Sequence, residues 1–399
     1  MRSKNIAALA AALCMALTGA AGALPAQVLD ENFSITASAA TIVASGKCGN
    51  SATYTIDSDG VLTVSGTGEI SAAAFEHDPN IKKVVVNKGI TAIGERAFVY
   101  GSNITEVSLP SGLVTIGERA FLECESLETV NIPDTVTAIG PSAFASCSGL
   151  KSINIPASVT SIGLAAFGYC GSLTSINVSK SNNYFASLDG VLFNKKGTGL
   201  ICFPSGKGGA YEIPGSILGI AEEAFAGSGV TRVTIPESVK SIGQSAFFGC
   251  AYLTEITIPE NITTIEFSTF KQCTGLATVT FSDTVTNISA DAFEYCNKLK
   301  DVYYYGTEQQ WGKISIGRCN EALEEATIHY IKTEPTPVFV KGDVTHDGRF
   351  NTADVITMIA VLKGNKAMPE DDFALYDWDE SGKFDYRDVM RAIQALKKG

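Results

Sequence analysis

Histidine, tryptophan and basic residues are scarce in this chain. Its 399 residues include three histidines and two tryptophans. His77, His329 and His346 lie far apart and no CxxC pair accompanies them, so we expect neither a histidine-dependent nucleophilic site nor a zinc site. Acidic residues outnumber basic ones by 42 to 30, which gives a formal net charge of −12. Because binding to a phosphate backbone needs clustered lysine and arginine, we expect no nucleic-acid partner.

Long apolar runs are also missing. A helix needs about 20 apolar residues to cross a membrane, and the apolar stretch at residues 6–17 is too short. Basic Arg2 and Lys4 precede this stretch and small residues 21–23 follow it, a pattern typical of a secretory signal. We therefore expect a signal peptide over residues 1–23, a secreted, extracellular protein and no transmembrane segment.

Two copies of one acidic loop, GDVTHDGRFNTAD and YDWDESGKFDYRD, lie 34 residues apart near the C-terminus. When they are aligned on Gly348 and Gly382, oxygen-bearing side chains fall at loop positions one, three, five, nine and twelve, the spacing of calcium ligands. The predicted ligands of the first loop are Asp343, Thr345, Asp347, Asn351, Asp354 and the backbone carbonyl of Arg349. Those of the second loop are Asp377, Asp379, Ser381, Asp385, Asp388 and the backbone carbonyl of Lys383. The pattern predicts two EF-hand-like sites for two Ca²⁺ ions, each closed by aspartate rather than glutamate.

Apolar residues recur at helical spacing after each loop, over residues 355–362 and 389–396. No comparable helix precedes the first loop, because Pro335 and Pro337 lie just upstream. Two loop–helix motifs without an entering helix resemble the type I dockerin, and the resemblance covers residues 340–399. It implies a small all-α module that binds Ca²⁺ and docks on a cohesin domain of a scaffoldin protein.

Two positions depart from the dockerin pattern: Thr345 stands where asparagine or aspartate is usual, and Ser381 where aspartate is usual. In dockerins the tenth and eleventh loop residues face the cohesin. The resemblance carries this role to Thr352, Ala353, Tyr386 and Arg387. Because the two pairs differ, we expect one preferred binding orientation, in which the second pair carries most of the specificity, since tyrosine and arginine are favoured interface anchors.

One phenylalanine recurs every 22 or 23 residues along the rest of the chain, which predicts a solenoid. Its positions are Phe75, Phe98, Phe121, Phe144, Phe167, Phe225, Phe247, Phe270 and Phe293. In the clearest copy, LETVNIPDTVTAIGPSAFASC, the predicted inward residues are Leu127, Val130, Ile132, Val136, Ile139 and Phe144. The unit resembles the BspA-type leucine-rich repeat of secreted and surface bacterial proteins.

This resemblance implies an α/β leucine-rich-repeat solenoid of about nine 23-residue coils over residues 70–331. A hairpin at 44–69 is expected to cap its start. Residues 182–213 interrupt the period and are interpreted as an irregular, hairpin-bearing insert, with strand-like residues 184–193 forming one arm. A proline-rich linker at 332–339 precedes the docking module.

The repeat also predicts two rows of equivalent side chains along the solenoid, one of cysteines and one of outward-facing strand residues. Six cysteines lie three residues after a repeat phenylalanine and are interpreted as buried free thiols rather than disulfides. They are Cys124, Cys147, Cys170, Cys250, Cys273 and Cys296. An outward row on the strands is mostly polar, and it either stabilises the sheet or binds a ligand. It consists of Val85, Ser108, Asn131, Asn154, Asn177, Thr234, Thr257, Thr280 and Tyr303.

We therefore expect a non-catalytic, secreted cellulosome component, held at the cell surface through a scaffoldin, whose solenoid recognises a protein or carbohydrate ligand. An enzyme or accessory subunit of plant polysaccharide degradation is one alternative, because dockerins most often accompany hydrolases. It would need an active site outside the repeats, and only residues 182–213 offer a candidate segment. A surface adhesin is the other alternative, and it leaves the dockerin unexplained.

Overall fold

The computed structural model describes residues 40–331, 341–345, 349–368, 373–378 and 380–397. The predicted signal peptide, residues 1–23, and the predicted linker, residues 332–339, lie outside these ranges. Two predicted calcium ligands, Asp347 and Asp379, also lie outside them.

Short strands account for most of the regular secondary structure in the described part of the chain. The first twelve are β1 (Ile42–Lys47), β2 (Ser51–Asp57), β3 (Val61–Ile70), β4 (Lys83–Val86), β5 (Ile90–Ile93), β6 (Glu106–Ser108), β7 (Thr115–Ile116), β8 (Thr129–Val130), β9 (Ala138–Ile139), β10 (Ser152–Ile155), β11 (Ser161–Ile162) and β12 (Ser175–Val178). The others are β13 (Phe185–Leu188), β14 (Val191–Asn194), β15 (Gly199–Cys202), β16 (Gly209–Glu212), β17 (Gly219–Ile220), β18 (Val230–Thr234), β19 (Ser241–Ile242), β20 (Glu255–Thr257), β21 (Thr264–Ile265), β22 (Thr278–Ser282), β23 (Asn287–Ile288), β24 (Asp301–Tyr305), β25 (Ser315–Ile316) and β26 (Thr327–Tyr330). The helices are α1 (Glu308–Trp311), α2 (Glu321–Glu324), α3 (Thr352–Leu362), α4 (Phe373–Tyr376) and α5 (Tyr386–Leu396).

Successive coils place their strands in two parallel rows. In one row β3 pairs with β4, β4 with β6 and β6 with β8; in the other β3 pairs with β5, β5 with β7 and β7 with β9. Pairing is in register, so the buried Val84, Val107 and Val130 lie in one line. The result is a leucine-rich-repeat β-solenoid of about 12 turns. The expected number of nine is too low, because it counts one coil for each repeat phenylalanine and leaves out strands of the N-terminal hairpin, the insert and the last coil.

Tight turns, not helices, surround each repeat phenylalanine. Residues two before and two after it adopt left-handed backbone, as Ser142 (φ 52°) and Ser146 (φ 57°) do around Phe144. An α-helix of L-residues cannot continue through this conformation, which costs roughly 1–2 kcal/mol per residue. Hydrogen bonds to the next coil hold it, since Ser142 N–H donates to Leu164 and Ser146 N–H donates to Gly168, at 2.8 and 2.9 Å. The expected α/β class is therefore wrong for the coils, which are strands joined by turns.

Phenylalanine rings form two stacked ladders in the interior. The first ladder contains Phe75, Phe98, Phe121, Phe144 and Phe167, and the second contains Phe203, Phe225, Phe247, Phe270 and Phe293. Neighbouring rings are nearly parallel, and the centroids of Phe98 and Phe121 are 5.0 Å apart. Each such pair adds about 0.5–1.5 kcal/mol beyond the area it buries. The six predicted inward positions of the clearest copy are all buried, which confirms that part of the interpretation.

The six repeat cysteines are buried free thiols, as predicted. Each thiol lies close to the backbone carbonyl of a phenylalanine one coil earlier. Cys147 Sγ, for example, donates to Phe121 O at 3.1 Å, and Cys273 Sγ donates to Phe247 O at the same distance. Cysteine therefore fills a small apolar space and also donates to a carbonyl that already accepts one hydrogen bond within its own turn, as Phe121 O does from Cys124 N–H at 3.2 Å.

The insert contains a hairpin of its own. Strands β13 and β14 pair antiparallel and turn at Asp189 and Gly190. Residues 184–193, expected to be one arm of a hairpin, therefore include both strands. Strand β14 also divides the solenoid core, because Leu192 packs in the first apolar cluster whereas Val191 and Phe193 pack in the second.

In the C-terminal segment, helices α3 and α5 pack against each other. Val355 and Met358 of α3 and Val389 and Ala392 of α5 form the centre of a third apolar cluster. These residues recur at the helical spacing read from the sequence. Across the described ranges, every helix falls short of the length and apolar character needed to cross a membrane.

Candidate functional site

Buried charge is concentrated in the C-terminal segment. Of the charged side chains that the structure describes, four are buried: Asp343, Asp354, Asp377 and Asp388. They occupy positions one and twelve of the two acidic loops. Burying a carboxylate is unfavourable unless it is hydrogen-bonded and its charge is neutralised. These four residues are therefore the feature of the chain that most needs a functional explanation.

Both loops run into a helix through the same cap. Asn351 is the N-cap of α3 and accepts from Ala353 N–H at 2.8 Å, while Asp385 is the N-cap of α5 and accepts from Arg387 N–H at 2.8 Å. The third helical residue, Asp354 or Asp388, accepts from the N–H of the cap residue. This reciprocal capping box satisfies two backbone donors and fixes the direction of each carboxylate.

In the first loop Thr345 links the carboxylates of positions one and twelve. Its hydroxyl lies 2.7 Å from Asp354 Oδ1 and 3.5 Å from Asp343 Oδ1. Its backbone N–H donates to Asp354 Oδ1 at 3.0 Å, and Asn351 N–H donates to Asp354 Oδ2 at 2.7 Å. Within the described residues, the donors to Asp354 are therefore uncharged.

In the second loop Asp377 accepts from two backbone groups, Ser381 N–H at 3.1 Å and Gly382 N–H at 2.8 Å. Gly382 has φ +76°, the left-handed conformation that glycine adopts at little cost and that the predicted sharp turn requires. The chain thereby folds back around Asp377, and both Asp377 and Asp388, the third residue of α5, are buried.

Arg387 contacts the ninth-position side chain of its own loop. Its Nε lies 3.1 Å from each carboxylate oxygen of Asp385, and its Nη2 donates to Oδ2 at 2.7 Å. The guanidinium holds the pKa of Asp385 below its usual value, chiefly through these hydrogen bonds. The equivalent residues of the first loop are the uncharged Asn351 and Ala353.

The predicted partner-binding residues lie on the first turns of α3 and α5. Thr352, Ala353, Tyr386 and Arg387 are all exposed, and Tyr386 keeps 67% of its surface accessible. Met390 lies one turn beyond Tyr386 and is half exposed. The second pair thus presents larger side chains than the first pair, one aromatic and one charged.

Aromatic packing around the loops was not anticipated from the sequence. Phe350, at the eighth position of the first loop, packs on Trp378 of the second with centroids 4.9 Å apart. Gly342 has φ +89°, and a Cβ there would meet Trp378 at 2.5 Å and Phe350 at 2.8 Å. The signal was present in the sequence, since Phe384 occupies the same eighth position in the second loop and packs on Tyr376.

The strand face of the solenoid is a second candidate surface. Every residue of the predicted outward row is exposed or half-buried. Asn177 Nδ2 donates to Asn154 Oδ1 at 3.2 Å, so part of the row is an amide ladder. Near the last coils the row continues with Tyr303, whose ring stacks on His329 at 4.7 Å, and His329 lies 2.7 Å from Asp301.

Comparison with protein families identifies the repeat region. The model of the BspA-type leucine-rich repeat region matches residues 68–189 and 202–329 in six copies. The chain belongs to the BspA-type leucine-rich repeat family. The matched segments contain both phenylalanine ladders and leave out the acidic loops, and the match indicates no enzyme family.

Solved structures share the solenoid fold of this BspA-type protein. A leucine-rich repeat protein from Eubacterium ventriosum is 24% identical, with a TM-score of 0.57, and the match covers 74% of this chain and 98% of that one. A leucine-rich cell surface protein from Faecalibacterium prausnitzii is 24% identical, with a TM-score of 0.50, and the match covers 68% of this chain and 97% of that one. The pneumococcal vaccine antigen PcpA is 20% identical, with a TM-score of 0.51, and the match covers 73% of this chain and 100% of that one. No curated protein matches the chain.

Proposed function

We propose that this protein is a secreted, non-catalytic recognition protein whose C-terminal segment is a calcium-dependent dockerin. In this proposal the solenoid binds a protein or carbohydrate ligand, and the dockerin attaches the chain to a cohesin on a scaffoldin at the cell surface. The observation that carries the proposal is the burial of four aspartates at positions one and twelve of two equivalent loops.

The donor set of each loop suits calcium. Ca²⁺ supplies positive charge and takes six to eight oxygen ligands. Each loop offers two buried carboxylates, a side-chain oxygen at the ninth position and a backbone carbonyl at the seventh. The capping boxes hold the twelfth-position carboxylates in place, and the hydrogen bonds to Asp354 come from uncharged groups that leave its negative charge to be neutralised.

The solenoid supports a recognition role through its strand face. In-register pairing repeats one outward position in successive coils and so forms an extended row of exposed polar groups. Such repeated faces are the usual binding surfaces of solenoids. The pneumococcal antigen and the Faecalibacterium cell surface protein share this fold, which is in keeping with an extracellular, adhesin-like ligand-binding role for the solenoid.

Calcium titration of the full chain tests the metal sites. Calorimetry should give two ions for the wild type, one for Asp354→Asn or Asp388→Asn, and none for the double variant, because each change removes a buried charge from one loop. Asp134→Asn is the matched control, since it removes an exposed carboxylate from a turn of the solenoid. Unchanged stoichiometry in the double variant would contradict the assignment.

Cohesin binding tests the docking role. Against a cohesin that binds the wild-type chain in calcium, replacing Tyr386 and Arg387 together by alanine should weaken binding by at least about thirtyfold, because buried tyrosine and arginine anchors commonly contribute about 2 kcal/mol or more. Thr352→Ala should change the affinity little. If the changes in the two loops weakened cohesin binding equally, the assignment of the recognition surface to α5 would be wrong.

A further inference from the structure

Acidic residues are almost absent from the middle of the solenoid. Residues 135–211 contain five lysines and no arginine, and their single acidic residue is Asp189. This segment therefore has a formal charge of +4, in a chain whose net charge is −12. At the average density of 42 acidic residues in 399, a segment of this length would contain about eight. The depletion is local, because Asp134 immediately precedes the segment and Glu212 immediately follows it.

Three of the five lysines lie together in the insert. Lys195 Nζ donates to the backbone carbonyl of Lys180 at 3.4 Å, and Lys196 follows Lys195 in the chain. Lys195 and Lys196 are the central residues of a β-turn, in which Gly197 N–H donates to Asn194 O at 2.9 Å. Glycine, proline, asparagine, aspartate and serine are the residues that favour turns, so the turn itself does not require two adjacent lysines. Lys180, Lys195 and Lys196 are all exposed, and we call them the lysine cluster.

The positive charge of the lysine cluster is not neutralised by its described surroundings. Among the residues that the structure describes, no carboxylate forms an ion pair with any of the three lysines. The turns on either side, residues 156–158 and 214–216, hydrogen-bond to the insert and are uncharged. Asp189 lies at the opposite end of strand β14. Because like charges repel one another, this concentration of lysines favours a role in binding an anion.

The groups beside the lysine cluster suit a sugar. Tyr184 is 53% exposed, and its carbonyl accepts from Lys195 N–H at 2.7 Å. Asn177, which belongs to the exposed amide ladder of the strand face, lies three residues before Lys180. Amides can donate to and accept from sugar hydroxyls, and a tyrosine ring offers a flat apolar surface. A protein interface would need an apolar centre, and a nucleic acid would need a longer stripe of lysine and arginine.

We propose that the lysine cluster and Tyr184 bind an acidic polysaccharide, with the ammonium groups on its uronate carboxylates and the neighbouring amides on its hydroxyls. This inference rests on the proposed function, since it specifies the ligand of the solenoid and the place where that ligand binds. The acidic remainder of the chain repels a polyanion, so binding should be confined to the insert.

Binding of a fluorescent oligogalacturonate to the full chain tests this inference. Fluorescence anisotropy is measured in the presence of chelator, because uronate carboxylates themselves bind calcium. Replacing Lys195 and Lys196 together by glutamine should weaken binding about fivefold, as expected for the loss of two exposed ion pairs. The matched control is Lys298→Gln with Lys300→Gln, which removes two exposed lysines from the last coils.

Three further probes separate recognition of the sugar from attraction by charge. Fully methyl-esterified oligogalacturonate keeps the sugar rings without the charge and should lose measurable binding. Polyglutamate and single-stranded DNA of the same charge lack uronate rings and should bind more weakly than oligogalacturonate. Tyr184→Ala should weaken oligogalacturonate binding about fivefold, through the lost ring contact, and leave polyglutamate binding unchanged.

Each contrary result overturns a different part of the inference. Equal effects of the two lysine pairs would mean that net charge alone matters and that the insert is not the site. If polyglutamate or DNA binds as tightly as oligogalacturonate, the assignment to a polysaccharide is wrong. If the wild type does not bind oligogalacturonate, the whole inference is wrong, whereas the calcium and cohesin tests of the proposed function keep their own outcomes. Loss of binding in Asn154→Ala with Asn177→Ala, but not in the Lys195 and Lys196 variant, would leave the solenoid a carbohydrate-binding region and move its site to the strand face.

Discussion

The solenoid and the C-terminal segment build their interiors from opposite kinds of residue. The solenoid buries stacked rings, aliphatic side chains and thiols, and the buried polar residues among its described part are uncharged. Asn182, for example, donates to the carbonyls of Pro156 and Val159. The C-terminal segment buries four aspartates around a small apolar cluster. We expect the first interior to be stable by itself and, on the proposed function, the stability of the second to depend on a cation.

The largest effect that separates the two regions is expected from chelation. In calcium the full chain should show hydrogen-exchange protection in both regions, and chelator should abolish it in residues 341–397 while residues 44–331 keep theirs. A ligand present at a thousand times its Kd stabilises the folded state by about 4 kcal/mol, which is enough to decide whether a small module folds. Exchange measured by mass spectrometry assigns the loss to peptides. Loss of protection in the solenoid, or none in the C-terminal segment, would contradict the comparison.

Breaking the phenylalanine ladder should destabilise the solenoid and leave the C-terminal segment unchanged. Phe144→Ala leaves a cavity between Phe121 and Phe167 and should lower the free energy of unfolding of the solenoid by about 3–5 kcal/mol. Leu164→Ala is the control, because Leu164 is 42% exposed on a turn of the next coil. Urea denaturation measures both changes. Calcium binding at the C-terminal loops should be unaffected, and a loss there would show that the two regions fold as one unit.

High pH should weaken the solenoid through its thiols. Burial raises the pKa of Cys124 and of Cys170 to about 12, against an ordinary value of about 8.5 in the unfolded chain. The unfolded state therefore releases these protons first, so stability is fully present below about pH 8.5 and falls as the pH rises towards 12. At pH 10, about 1.5 pH units above the pKa of the thiol in the unfolded chain, each thiol should lower the free energy of unfolding by about 2 kcal/mol, since one pH unit corresponds to about 1.4 kcal/mol.

The measurement is urea denaturation at pH 7 and pH 10 for the wild type and for Cys124→Ala. Between pH 7 and pH 10 the free energy of unfolding should fall about 2 kcal/mol less in the variant than in the wild type. Each protein is compared with its own free energy of unfolding at pH 7, so the packing that the variant loses does not enter the difference. An identical decline in both proteins would mean that Cys124 ionises equally in the folded and unfolded states.

Periodic features of the fold could be predicted from the sequence because each coil repeats one local solution. The phenylalanine spacing gave the solenoid, and the residues three positions later gave the buried thiol row. The turn conformation could not be predicted, since the left-handed positions hold residues such as Ser142, Arg119 and Tyr169 rather than glycine. Hydrogen bonds to the next coil offset the strain of these left-handed residues. Each of these bonds joins residues that lie about 22 positions apart in the sequence.

One member of the second ladder was missed although it keeps the period. Phe203 lies 22 residues before Phe225 and its ring is 5.0 Å from that of Phe225, but it falls in the segment that was interpreted as an irregular insert. In the acidic loops the spacing of oxygen-bearing residues could be read from the sequence, because calcium sites need oxygen atoms at fixed positions, and the ligand set stays a prediction. The Arg387–Asp385 pair was not readable, since it depends on a side-chain rotamer at the start of a helix and not on spacing.

The smallest expected effect concerns the exposed amide ladder, and it decides between the two interpretations of the outward row. Asn154 and Asn177 are both exposed, and one hydrogen bond of 3.2 Å joins their amides. A cross-strand pair of this kind contributes about 0.2–1 kcal/mol. A double-mutant cycle with both residues changed to alanine should therefore give a coupling energy of about 0.5 kcal/mol in urea denaturation. Such a small value leaves the row available for a ligand, whereas a coupling above about 1.5 kcal/mol would make it a structural element of the sheet.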